Sequence, residues 1–100
     1  MFIGIGTFEI FIPASTSLKD KRQVLRPIVD TVRKRFNVSI AEVGYQELWQ
    51  RAAFGVTCVA GEMAHCRKVL QEVEKAIGRS ASDGAEIVDR SVDVFALEDL

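Results

Sequence analysis

The sequence predicts a small α+β domain, and three observations support this fold class. The chain has 100 residues, of which 48% are hydrophobic and 27% charged, enough for one hydrophobic core but not for two. Four segments are rich in β-forming residues: 2–12, 37–43, 52–60 and 85–97. Two segments carry apolar residues at helical spacing: 18–36 and 62–77. The predicted order is therefore strand, helix, strand, strand, helix, strand.

The first predicted strand, FIGIGTFEIFI at residues 2–12, does not alternate cleanly between apolar and polar positions. Its apolar side chains fall into two sets of opposite phase: Ile3 and Ile5, then Phe8, Ile10 and Ile12. Since glycine often marks a β-bulge, we expect a bulge near Gly6–Thr7 to reconcile the two sets. Pro13 ends the strand.

The first predicted helix begins at a capping sequence. Ser17 is a typical N-cap residue, and Asp20 completes a capping box in which Asp replaces the usual Glu. Apolar residues then recur at helical spacing: Leu18, Leu25, Ile28, Val29, Val32 and Phe36. Because this register continues past Pro27, we expect one helix kinked at the proline rather than two elements.

Apolar patterning and chain breakers define the other elements. The strand at 52–60 has apolar or small residues on both faces, which indicates an interior strand. The helix at 62–77 is expected to end at Gly78, which is well placed as its C′ residue. Residues 85–97 follow as one strand or as two strand pieces.

The order β-α-β-β-α-β is that of the ferredoxin-like fold, an antiparallel sheet with both helices on one face. Its usual strand order, 4-1-3-2, places 2–12 beside 52–60 in the middle of a single domain spanning residues 1–100. The opposite face would retain apolar residues from the set Phe2, Phe8, Ala53 and Val59. Since a contiguous exposed apolar patch is unusual on a monomer, we expect a homodimer or higher homo-oligomer.

Charge is segregated along the chain, although the net charge is only −1. Residues 17–36 carry +5, from two acidic residues and seven basic ones: Lys19, Lys21, Arg22, Arg26, Arg33, Lys34 and Arg35. The rest of the chain has six basic and twelve acidic residues, a charge of −6. On a helical wheel one stripe beside the apolar face contains Lys19, Arg22, Arg26 and Arg33, while Lys21 falls on the opposite flank.

The sequence predicts a cytoplasmic protein with no membrane association. Residues 2–6 follow Met1 without the basic lead or cleavage site of a signal peptide. No apolar run approaches the roughly 20 residues that cross a bilayer. Cys58 and Cys66 occupy apolar positions without C-x-x-C spacing, so we expect two small buried hydrophobes in a reducing compartment.

Several segments are distinctive in combination: SLKDKR (17–22), RFNVSIAEV (35–43), LWQRA (48–52) and GVTCVAG (55–61). Through them the chain resembles, over about residues 2–78, the bacterial YlxP-like family, a domain of unknown function. The resemblance implies a ferredoxin-like fold and no assigned enzymatic activity. Genes of this family often lie beside those for a translation initiation factor and a ribosome-binding factor, which implies a role with RNA or the ribosome.

No catalytic or metal-binding constellation emerges from the residue spacing. The candidate acid–base groups are Glu9, Glu42 and Glu47, and nothing in their spacing brings two of them together. His65 and Cys66 are adjacent on a helix, about 100° apart, and are poorly placed to share a metal. Phe54 alone cannot supply the aromatic platform with which some sheets bind RNA. We therefore expect a non-enzymatic protein without a cofactor or metal.

Two functional hypotheses remain open. In the first, RNA or ribosomal particles bind to the basic first helix through Lys19, Lys21, Arg22, Arg26 and Arg33. In the second, a protein partner or small ligand binds to the open sheet face or to the loop with Tyr45 and Trp49, and the cations are only a solvated face. The two aromatic residues either close one end of the core or form a contact point for a partner.

Overall fold

The computed structural model describes residues 1–81 and 84–98. Within them the chain forms four strands and two helices: β1 (Phe2–Phe11), α1 (Leu18–Arg35), β2 (Ser39–Gly44), β3 (Arg51–Ala60), α2 (Met63–Ala81) and β4 (Glu86–Ala96). All strand pairs are antiparallel, in the order β2-β3-β1-β4. This is the predicted 4-1-3-2 order read from the other edge, so the ferredoxin-like fold is confirmed.

The core lies between the two helices and one face of the sheet. Its fully buried large side chains come from both central strands and both helices: Phe8, Ile10, Ile28, Val32, Phe54, Val56, Leu70, Val73 and Ile77. Each such side chain contributes about 1.5–3 kcal/mol through removal from water. These residues therefore fix both helices on the same side of the sheet.

β1 pairs with β3 without interruption along its whole length, and the predicted bulge near Gly6–Thr7 is wrong. Gly4 and Gly6 occupy the helix-facing positions, in phase with the buried Phe8. A Cβ atom at Gly4 would lie 2.9 Å from Cδ1 of Leu70, so α2 packs directly against the strand backbone here. The apolar residues of β1 change phase because glycines occupy the helix-facing positions in its first half. The pairing of β1 with β3 stays in register throughout.

A register shift does occur in the pairing of β1 with β4. Glu9 pairs with Asp89 and Ile10 with Ile87, which leaves Val88 as the extra residue of a β-bulge. The strand continues through this bulge from Glu86 to Ala96, so the last segment forms one strand.

Both helices continue past a residue that could break them. α1 runs through Pro27 to Arg35 as a single helix. α2 continues to Ala81, so the prediction that it ends at Gly78 is wrong. A C′ glycine normally has a positive φ angle, and no glycine among the described residues has one. The buried stripe of α2 instead extends from Ile77 to Ala81, one turn later.

The open face of the sheet carries an apolar row across three strands. Ile3 pairs with Val59 on one side and with Phe95 on the other. Val59 is 65% exposed and Phe95 53%. Of the four residues from which this patch was expected to draw, Val59 is exposed, whereas Phe8 and Ala53 are buried and Phe2 packs against the core cluster. Neither α1 nor the described part of α2 is long and apolar enough to cross a membrane.

Candidate functional site

The first turn of α1 supplies its own anion. The backbone N–H of Asp20 donates to Oγ of the N-cap Ser17 at 3.0 Å. The carboxylate of Asp20 accepts bonds from the backbone N–H of Thr16 at 3.0 Å and from the Thr16 hydroxyl at 2.9 Å. These bonds hold the pKa of Asp20 below its usual value. A negative charge therefore already offsets the helix dipole at this end.

Lys21 does not belong to the exposed cationic surface, which corrects its assignment as an RNA-binding residue. It is 2% exposed. Its ammonium group donates to the carbonyl oxygens of Tyr45 at 2.8 Å and Leu48 at 2.9 Å. Oε2 of Glu42 lies 2.7 Å from the same nitrogen, as an ion pair rather than a regular hydrogen bond. The Lys21 ammonium is thus fully used inside the fold.

These contacts join the first turn of α1 to the loop between β2 and β3, residues 45–50. The SLKDKR and LWQRA segments, about 30 residues apart in sequence, meet at the Lys21–Leu48 hydrogen bond. Other bonds hold the rest of the loop: the backbone N–H of Leu48 donates to the carbonyl of Tyr45 at 3.0 Å, and that of Ile12 donates to the carbonyl of Gln50 at 2.8 Å. We call this unit, residues 17–22 with 45–50, the clamped loop.

The sequence contained a signal for the Lys21–Glu42 ion pair that a helical wheel of α1 alone does not reveal. Lys21 precedes the buried residues of α1 at helical spacing, in the stripe Lys21, Leu25, Ile28 and Val32. Glu42 likewise shares the alternation of Ile40 on β2, which places its side chain on the helix side of the sheet. A cation and an anion on facing buried positions indicate an internal ion pair.

The exposed cations of α1 form a stripe outside the clamp. Lys19, Arg22 and Arg26 are exposed, and we call them the α1 stripe. Within residues 1–81 and 84–98, Arg22 and Arg26 make no side-chain hydrogen bond or ion pair, while Lys19 lies close enough to Asp20 to lower its pKa. Arg33, predicted as a fourth member, donates instead to the carbonyl oxygen of Ile40 at 3.3 Å.

The loop aromatics lie on the surface and do not close the core. Trp49 is 53% exposed and Tyr45 40%, and both lie outside the core cluster. Tyr45 has a positive φ angle of 59°, its hydroxyl donates to Oε1 of Glu9 at 3.1 Å, and Arg51 lies over its ring. Trp49 therefore remains available to a partner.

Glu9, Cys58 and Cys66 make contacts that stabilise the fold. Glu9 pairs with Arg51 at 3.4 Å. Burial, with the Cys66 thiol 3.6 Å away, raises the pKa of the Cys58 thiol to about 11, so it stays protonated at neutral pH. Both cysteines are buried, as predicted. Among the described residues, no three His, Cys, Asp or Glu side chains converge as metal ligands.

Fold, clamp and cationic stripe together define a small ferredoxin-like module. Residues 3–92 match the family model DUF503, a protein of unknown function, and the chain belongs to this family. The uncharacterized protein YlxP of Bacillus subtilis (strain 168) is 45% identical over 71 residues, which cover 71% of this chain and 77% of that protein.

Solved structures with low sequence identity share the fold. The de novo designed protein LFR1 1, with a ferredoxin fold, has a TM-score of 0.51 at 8% identity, over 95% of this chain and 83% of that one. A C-terminal segment of the alpha subunit of aIF2 from Pyrococcus abyssi has a TM-score of 0.52 at 19% identity, over 100% of this chain and 52% of that one. At these identities the likeness concerns the fold alone.

Proposed function

We propose that this protein is a non-enzymatic module that binds RNA, free or within ribosomal particles, through the α1 stripe. The observation that carries the proposal is that basic side chains of α1 are exposed and lack acidic partners among the described residues. Arg22 and Arg26 are exposed and unpaired within the described part of the chain, and α1 has seven basic residues against two acidic ones, whereas α2 has four against two. Uncompensated positive charge on one helix is the electrostatic footprint of a phosphate-binding surface.

The geometry of the stripe suits a phosphate backbone. Lys19, Arg22 and Arg26 are spaced by three and four residues, so they share one face of α1 and extend over roughly 10 Å. Arginine forms paired, charge-assisted hydrogen bonds with phosphate oxygens. Because such contacts carry no sequence information, we expect binding to be broad with respect to RNA sequence.

Replacing Lys19, Arg22 and Arg26 together with Gln is expected to weaken binding to structured RNA and ribosomal subunits roughly tenfold or more, since a hydrogen bond to a charged group contributes about 1.5–3 kcal/mol. The dependence of affinity on salt should flatten by roughly one unit per lost phosphate contact. Fluorescence anisotropy at several salt concentrations measures both effects.

The matched control removes the same charge from the other helix. Changing Arg67, Lys68 and Lys75 to Gln alters three exposed cations of α2 and should leave affinity within about twofold. If the two triple variants lost RNA affinity equally, the affinity would depend on net charge and not on the α1 stripe. A parent protein that binds neither RNA nor subunits at low salt would refute the proposal.

The apolar row on the open face supports a second proposal, a homodimer that pairs these faces. Four strands about 4.8 Å apart, three of them of ten or eleven residues and one of six, rise about 3.3 Å per residue and give a face of roughly 600 Å². Two such faces bury roughly 1,200 Å², the lower limit of a specific interface. The row of Ile3, Val59 and Phe95 lies within this face and would form its apolar centre.

Val59→Glu is expected to shift the protein to monomer, because it buries two carboxylates in a symmetric apolar contact. Sedimentation equilibrium at tens of micromolar measures the change. The control, Met63→Glu, places the same charge on an exposed residue of α2 and should leave association intact. A parent protein that is purely monomeric at that concentration would contradict the dimer.

A further inference from the structure

We propose, building on the proposed RNA-binding function, that the clamped loop recognises single-stranded RNA: Trp49 stacks on an unpaired base while Arg22 binds an adjoining phosphate. Aromatic faces beside a cationic track are the general means by which proteins hold single strands. Four features of the structure point to this pairing.

The first feature is the exposure of the side chain. Trp49 is the largest side chain of the protein and the chain's one tryptophan, yet it is 53% exposed and contributes nothing to the core cluster. An indole ring presents a flat π face on which any base can stack. About half of the Trp49 side chain is open to a partner.

The second feature is the rigidity of the loop that presents it. The Lys21 ammonium bonds the carbonyls of Tyr45 and Leu48, directly before Trp49. On the other side, the side-chain amide of Gln50 donates to the carbonyls of Pro13 at 3.0 Å and Ser15 at 3.3 Å. A loop fixed in this way loses little conformational entropy when it binds, so more of the stacking energy appears as affinity.

The third feature is the adjacency of the ring to positive charge. Trp49 lines a cleft with Phe11 and Glu47, and Arg22 lines a second cleft in which Glu47 also takes part. The two clefts therefore adjoin at Glu47, so the aromatic side chain and the cation belong to one region of the surface. Glu47 opposes a phosphate here, so Glu47→Gln is expected to strengthen binding.

The fourth feature is the negative charge of the open sheet face, the other surface with an exposed aromatic side chain. The open sheet face also has an exposed aromatic, Phe95, but Asp93 lies two residues away on β4, and Asp89 follows farther along the same strand, both exposed. Like charges repel a phosphate backbone. A nucleic acid strand is thus favoured at the loop and disfavoured on the sheet.

Intrinsic fluorescence tests the proposal directly, because Trp49 is the only tryptophan. The parent protein is titrated at low salt with a 12-nucleotide single-stranded RNA, with a duplex of the same sequence, and with an abasic sugar-phosphate strand of equal length. Stacking should quench the emission with the single strand, and neither the duplex nor the abasic strand should do so.

Affinities of variants provide the second measurement. Trp49→Ala is expected to weaken single-strand binding about five- to a hundredfold and to leave abasic-strand binding unchanged, while Trp49→Phe retains part of the affinity. Met63→Ala, which removes another exposed apolar side chain at the start of α2, should have no effect.

The outcomes separate this inference from the function on which it rests. If the single strand binds through the α1 stripe but Trp49→Ala binds it as tightly as the parent, or no quenching occurs at saturation, the stacking proposal is wrong and phosphate binding stands. If Trp49→Ala weakens abasic-strand and single-strand binding equally, Trp49 supports the fold only. Should no RNA bind at low salt, both proposals fail.

Discussion

Replacement of Lys21 with methionine is expected to lower the free energy of unfolding by about 3 kcal/mol. The substitution removes the ammonium group that satisfies the carbonyls of Tyr45 and Leu48 and that pairs with Glu42. Methionine fills a similar volume but offers no donor, so two carbonyl oxygens and a partly buried carboxylate lose their partner. Urea denaturation, monitored by circular dichroism, measures the loss.

Lys19→Met is the matched control, since it makes the same change two residues earlier at an exposed position and should stay within about 0.5 kcal/mol of the parent. A double variant tests the ion pair itself. Adding Glu42→Leu to Lys21→Met should restore part of the lost free energy of unfolding, because the carboxylate left without a partner is removed. Equal stability of the Lys19 and Lys21 variants would show that the clamp contributes nothing.

Gly4→Val is expected to destabilise the protein by about 2 kcal/mol through overpacking. The new Cβ would lie 2.9 Å from Cδ1 of Leu70 and 3.1 Å from Sγ of Cys58, both in the buried core. Strand and helix must therefore separate, or Leu70 must leave its rotamer. Thermal denaturation at matched pH measures the shift in Tm.

Gly61→Val provides the comparison, because nothing lies within 4 Å of a Cβ at that position. It should cost no more than a few tenths of a kcal/mol. Leu70→Ala combined with Gly4→Val should lose less than the sum of the two single changes, since the cavity accommodates the added methyl groups. Additive losses would place the strain somewhere other than the β1–α2 contact.

The sequence allowed the element order, the central strands and the capped start of α1 to be predicted, because each depends on local chemistry. The pairing of 2–12 with 52–60 followed from the usual strand order of the fold, with which the apolar character of both segments agrees, and Ser17 acts as the predicted cap. Gly78 misled the prediction of a helix end, since the buried contact of Ala81 outweighs a local stop signal.

The candidate site was harder to predict, because it depends on contacts between segments distant in the chain. Lys21 was placed on the polar flank of a helical wheel, although its spacing to Leu25 places it on the buried stripe. Whether Trp49 closes the core or faces solvent depends on how Lys21 and Gln50 hold the loop on either side of it, and no local pattern specifies these contacts. The phase change in β1 likewise depends on the approach of Leu70 to Gly4.

The outer edge of the sheet has a consequence for the protein at high concentration. Within the part of the chain that the structure describes, β4 has β1 as its one sheet neighbour, and the unpaired backbone groups of an edge strand are a template onto which another polypeptide can add. The bulge at Val88 bends this edge, and exposed charged residues follow directly at Asp89 and Arg90. An irregular, charged margin resists the addition of further strands and so protects the fold against fibrous aggregation.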